Sequence, residues 1–163
     1  MILMKPAFLI AMFFMSAACN PIAMTTTMQR PAPSGVVSPT VKAFTDRLNT
    51  VRRREGVRAI YLDPRLALAA RNHAKDMARN NYFSHRSLSG ARLSDRVART
   101  GYCISGLAEN IAFGHRSVDT VFSSWINSPA HRRNMLRPQA VTFGVAENDG
   151  IWVLVLGDEC RRK

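Results

Sequence analysis

Four histidines, three cysteines and a sparse set of carboxylates are the residues of this chain whose chemistry goes beyond packing. His73 lies on an apolar helical stripe with Leu66, Ala70 and Met77, and so reads as a hydrogen-bonded core residue. His115, between Gly114 and Arg116, falls in an expected loop and has no obvious partner. The other two, His85 and His131, are 46 positions apart, and Glu109 is one of the carboxylates between them. Two neutral imidazoles and a carboxylate can hold a divalent metal with one position open for water or a ligand, and the same groups suit general-base work. A gap of that length obeys no ligand-spacing rule, so spacing alone does not join the three. On the plainer reading, Glu109 caps backbone amides or pairs with an arginine, and His85 is a structural residue. Ser128 stands three residues before His131. Ser128-Pro129 is a helix-start signal that accounts for the serine without catalysis, and no Gly-x-Ser-x-Gly elbow surrounds any serine.

The elements that must position these groups are legible from caps and periodicity. Ser38-Pro39 opens a first helix, with Val41, Phe44, Leu48 and Val51 at helical spacing until Gly56. Asp63-Pro64 opens a second that runs to about Asn80. Leu93 and Val97 mark a short third helix ended by Gly101. Ser117 caps a fourth that carries Val118, Val121, Phe122 and Trp125. A final short helix from Ser128-Pro129 puts His131 in its first turn, where the helix dipole disfavours the imidazolium and keeps a lone pair available. Val141 to Ala146 and Ile151 to Leu156 read as an antiparallel hairpin joined by Glu147-Asn148-Asp149-Gly150, and Glu109 to Phe113 as a further strand. Helices around a small antiparallel sheet make an α+β fold. Trp125 and Trp152 read as core aromatics, and Tyr82-Phe83 as packing against a cleft wall.

With 47% hydrophobic and 21% charged residues among 163, the composition is that of one globular domain. Residues 1–18 have the layout of a secretory signal peptide: Lys5, an apolar run from Ala7 to Met15, then Ser16, Ala17 and Ala18 before Cys19. The small pair before Cys19 resembles a bacterial lipobox, with Ser16 where leucine is usual, so lipidation at Cys19 and ordinary cleavage both remain open. Cysteine arithmetic favours lipidation, because Cys103 and Cys160 can pair in an oxidising compartment and leave Cys19 odd. Residues 19–37, rich in Thr, Pro, Met and Ser, read as a flexible tether. No later segment is long and apolar enough to span a membrane, so the expected attachment is through the anchor alone. The net charge of +12, carried mostly by arginine, favours anionic partners. For a secreted chain these are envelope lipids, lipopolysaccharide phosphates or cell-wall polymers rather than nucleic acid; scattered arginines on a solvated surface are the plainer alternative.

Three stretches carry a more specific likeness: Asn81-Tyr82-Phe83-Ser84-His85, Ala108-Glu109-Asn110-Ile111-Ala112, and the run from Trp125 through Asn127-Ser128-Pro129-Ala130-His131 to Leu136. Together with His73-Ala74-Lys75-Asp76-Met77, Phe143-Gly144-Val145 and the Trp152 strand, they resemble the bacterial branch of the CAP superfamily (cysteine-rich secretory proteins, antigen 5 and pathogenesis-related proteins), also called the SCP domain. The likeness covers about Thr40 to Cys160. It implies a three-layer α-β-α sandwich over residues 38–163 and a cleft formed by His85, Glu109 and His131. The second acidic position of animal and plant members falls on Ser128, so a mechanism that needs a glutamate pair finds no support. It further implies a module that binds a lipid, glycan or peptide, with a divalent metal, zinc foremost, on His85 and His131. The alternative is a metal-dependent hydrolase or peptidase in which Glu109 is the general base.

Overall fold

The computed structural model describes residues 38–158. The expected signal peptide, Cys19, the tether and Cys160 lie outside them. Within the described residues five helices and four strands follow in the order α1 (Pro39–Arg54), β1 (Tyr61–Leu62), α2 (Pro64–Arg79), α3 (Leu93–Ala98), β2 (Leu107–Phe113), α4 (Val118–Asn127), α5 (Pro129–Met135), β3 (Ala140–Asn148) and β4 (Ile151–Asp158). The start signals act as expected. Ser38 Oγ accepts from the Val41 amide at 3.3 Å, Asp63 Oδ1 from Arg65 at 2.8 Å and Ser117 Oγ from Thr120 at 3.2 Å. The β3–β4 hairpin turns on Asp149 and Gly150, with φ of 51° and 76°, the left-handed pair that a two-residue hairpin loop requires.

The sheet has the order β1-β3-β4-β2, with β1 parallel to β3 and the other pairs antiparallel. β1 was not foreseen, because a two-residue strand has no periodicity to read. β4 lies between two neighbours, and its side chains alternate between two cores. Trp152, Leu154 and Leu156 join Phe44, Leu48, Phe122, Trp125 and Met135 on one face; Val153 and Val155 join Leu66, Ala70, Ala74 and Met77 on the other. A strand covered on both sides reads as an unbroken apolar run, as Ile151 to Leu156 does. The result is the expected three layers: α2 and α3, the sheet, then α1, α4 and α5.

The outer layers press closely on the sheet. A Cβ added at Gly144 of β3 would stand 2.1 Å from both the Ala67 nitrogen and the Leu66 carbonyl carbon, backbone atoms of α2 that cannot rotate away. Gly144→Ala is therefore expected to lower stability by at least about 1–3 kcal/mol, the usual cost of overpacking. A denaturant midpoint unchanged in that variant would show that α2 has room to move off β3.

Candidate functional site

β2 builds the site because its alternating side chains face different layers. Leu107 and Ile111 pack with the α2–α3 core, Ala108 and Ala112 with the other. Glu109 shares the parity of Leu107 and Ile111, and its side chain is 3% exposed. Both its oxygens are engaged: Oε1 lies 2.8 Å from His85 Nδ1, and Oε2 accepts from Arg96 Nη2 at 2.7 Å. Arg96, buried on α3, also donates through Nη1 to the His85 carbonyl at 2.9 Å and the Ala91 carbonyl at 3.2 Å. One guanidinium thus holds the carboxylate and the loop that carries the imidazole. A carboxylate only accepts, so Nδ1 carries a proton, and in the neutral ring that tautomer leaves Nε2 as an acceptor. The His85 side chain is 60% exposed.

The next residue of β2 positions the second imidazole. Asn110, fully buried, donates through Nδ2 to the His131 carbonyl at 3.1 Å. Asn134 of α5 donates to Asn110 Oδ1 at 2.8 Å and to the Glu109 carbonyl at 3.2 Å. Trp125 packs 6.4 Å from the His131 ring and donates its indole N–H to the Ile111 carbonyl at 3.3 Å. His131 is the third residue of α5, as the sequence implied. Ser128 occupies the N-cap position, but its side chain makes no capping bond; its carbonyl accepts from the Arg132 amide at 2.8 Å. Burial is the main cause that lowers the His131 pKa, and the proximity of His85 adds to it.

His73 is a core residue, as expected. Its Nε2 lies 2.9 Å from the Ser84 carbonyl, so that nitrogen carries the proton, and the ring ties α2 to the His85 loop. The same loop is fastened by Tyr82, whose hydroxyl donates to Asp76. Phe83 extends to the lip of a pocket of about 430 Å³, where it meets Phe113 at 6.4 Å between ring centroids, over Met77, Ala78 and Ile151. His115 stays outside the cleft, and its carbonyl accepts from the Trp152 indole at 2.8 Å. Sequence reasoning missed Arg96, Asn110 and Asn134 as site residues. Asn110 carried a signal, an amide set in the apolar company of Ile111 and Ala112.

Comparison with known proteins now bears on this arrangement. The model of the CAP (cysteine-rich secretory protein) family matches residues 45–150. The chain belongs to the CAP family. Its CAP domain is 33% identical over 123 residues to the uncharacterized protein YkwD of Bacillus subtilis, covering 74% of this chain and 48% of the relative. It is 32% identical over 104 residues to the uncharacterized membrane protein YlbC of the same organism, covering 64% and 30%. The chain thus spans about half or less of the curated relatives it matches. Among solved structures, an extracellular SCP-domain protein of Bacillus anthracis superposes with a TM-score of 0.70 at 30% identity, covering 77% of this chain and 45% of that one. An outer surface protein of Borrelia burgdorferi superposes at 0.68 with 20% identity, covering 74% and 93%, and shares the fold.

The donor set of this CAP domain bears on the metal expected for it. Glu109 is committed to His85 and Arg96, which leaves two imidazoles, short of the three protein ligands of a catalytic zinc. Among the described residues no group of three or more His, Cys, Asp or Glu side chains is placed to hold a metal ion. The described residues present do not fit a zinc held by three protein ligands.

Two predictions follow from these contacts. Arg96→Leu strands the Glu109 charge and should cost about 3–5 kcal/mol, whereas adding Glu109→Gln should recover part of it; equal losses in the single and double variants, by chemical denaturation, would show the pair to be uncoupled. Burial, then Arg96, pushes the His73 pKa below its usual 6.5, and that of His131 is lowered too. The unfolded chain therefore takes up these protons first, so stability present above pH 6.5 is lost as pH falls through the lowered values. His73→Gln should flatten that decline in a series of denaturation midpoints; a decline equally steep in the variant would mean His73 takes no part in it.

Proposed function

We propose that the domain is a binding module displayed outside the cytoplasm, which recognises a donor-bearing ligand, a glycan or a peptide rather than a bare lipid, in the cleft of His85 and His131. The observation that carries this reading is the engagement of both Glu109 oxygens within the protein. The carboxylate is spent on orienting His85 and is not free to act as a base. What the cleft offers a ligand is the His85 imidazole on the wall of a hollow of about 350 Å³, lined also by Arg86, Arg92, Leu93, Leu107 and Ala108. Hydroxyl or amide donors answer the imidazole, and the leucines take apolar surface. The Bacillus anthracis relative is an extracellular protein, which supports a secreted or surface location for this chain. A signal peptide over residues 1–18 and lipidation of Cys19 accord with it.

The hydrolase alternative takes a changed form. The buried Glu109 oriented toward His85 is the arrangement of a carboxylate–histidine dyad, so if the cleft hydrolyses a bond, the general base is His85 Nε2 and Glu109 is its positioning partner. Titration of wall-derived glycans and peptides into labelled protein, followed by NMR, tests both readings. Binding in the wild type that weakens roughly tenfold in His85→Ala, about one hydrogen bond's worth, supports the module. Turnover of those compounds that His85→Ala abolishes supports the hydrolase. Binding indifferent to His85 and His131 would remove the cleft from both.

The pairing of Cys103 with Cys160 belongs to the same extracellular reading. β2 and β4 pair through Leu107 with Gly157, and the Asp158 amide reaches the Gly106 carbonyl at 2.9 Å. This pairing holds the end of β4 against the start of β2, four residues after Cys103. Non-reducing peptide mapping should recover one cross-linked fragment containing both cysteines, and Cys103→Ser should lower stability by about 2–4 kcal/mol. Recovery of both as free thiols from protein exported into an oxidising compartment would refute the bridge.

A further inference from the structure

The arginines of this chain are not spread evenly over the fold. The last turn of α1 carries Arg52, Arg53 and Arg54 in succession, and Arg58 follows in the loop to β1. Arg52 is fully buried, and its guanidinium is satisfied by backbone carbonyls: that of Arg58 at 2.8 Å, of Met135 at 2.7 Å and of Arg137 at 3.2 Å. Those bonds bring the end of α5 against the end of α1. Arg132 of α5 completes the corner through an ion pair with Glu55 at 2.8 Å, and Arg133 is exposed on the same short helix. Arg137 is paired with Asp158. The corner therefore gathers seven arginines and two carboxylates. Among the described residues Arg53, Arg54, Arg58 and Arg133 enter no ion pair, and all four are exposed.

From this geometry we infer a docking surface for a phosphate-bearing polymer, formed where the C-terminal end of α1 meets α5. The fold has spent a buried cation on holding the two segments together, and that cation has carbonyl dipoles rather than a carboxylate for partners, so its charge adds to the field of the corner. Burial, and after it the neighbouring Arg58, disfavour the charged form of Arg52, and an approaching anion would offset the repulsion between the two cations. The side chain used throughout is arginine, whose planar fork meets phosphate oxygens bidentately. A bilayer is the weaker candidate. The large apolar side chains exposed among the described residues are Tyr61, Leu68, Phe83, Leu88, Ile104 and Phe113, and none lies on α1 or α5, so neither helix offers one to insert between lipids. This surface does not depend on the reading of the His85 cleft.

Inorganic polyphosphate is the probe, titrated into the full chain over a series of salt concentrations. One variant replaces Arg53, Arg54, Arg58 and Arg133 with glutamine; a control with the same change of charge replaces Arg71, Lys75, Arg79 and Arg99 on α2 and beyond α3. The expected result is at least a tenfold loss of affinity and a salt slope shallower by roughly three in the corner variant, given about 0.7 per phosphate contact on a single strand, with the control close to wild type. The single reversal Arg133→Glu gives the same readout with minimal risk to folding and should weaken binding several-fold. Equal losses in corner and control variants would reduce the effect to net charge and overturn the proposal. So would tighter corner-dependent binding to phosphatidylglycerol vesicles than to polyphosphate, which would assign the surface to lipid.

Discussion

The site depends on a charge buried next to its opposite. Glu109 sits inside the domain with 3% of its side chain exposed, and the Arg96 guanidinium makes that tolerable at 2.7 Å. Neither residue belongs to the same element, and neither would be stable alone in the interior. Once paired, they fix much else. Arg96 takes the carbonyl of His85 and Glu109 takes its ring, so a loop with no regular secondary structure is held at two points. The imidazole is presented to solvent in one tautomer by groups that solvent scarcely reaches.

The second half of the cleft relies on the same strand by a different means. Asn110 and Asn134 form a neutral amide pair between β2 and α5, and through it the His131 backbone is held beside the strand that orients His85. One strand thus controls two imidazoles, one through a side-chain ion pair and one through an amide network. Consecutive residues can do this because side chains on a strand alternate in direction, so Glu109 reaches into one layer and Asn110 into the other.

Much of this was legible in the sequence, and the remainder was hidden for physical reasons. The Ser-Pro and Asp-Pro starts at Ser38 and Asp63, the Ser117 cap and the Asp149-Gly150 turn are local signals, and each marks a real boundary. The three layers and the expectation of one cleft for His85, Glu109 and His131 came from a family likeness rather than from spacing, since neither is written in any one segment. Arg96 was invisible because α3 is six residues long, too short for periodicity to separate an inward arginine from an outward one. The Ser128 hydroxyl was expected to cap α5 and does not, yet the helix starts there, because Pro129 supplies the fixed φ and needs no donor satisfied. The net charge was plain in the composition, but its concentration where α1 meets α5 depends on a buried contact between residues more than eighty positions apart.

The edges of the sheet carry one further consequence. Small sheets risk pairing edge to edge with another copy, because unpaired backbone groups along an outer strand form a template. Here one outer strand, β1, is two residues long, and the other, β2, has the carbonyls of Glu109 and Ile111 already taken by Asn134 and Trp125. The side chains that assemble the cleft therefore also close the margin of the sheet, so a change in α4 or α5 that loosens His131 would at the same time uncover a strand that other chains could extend.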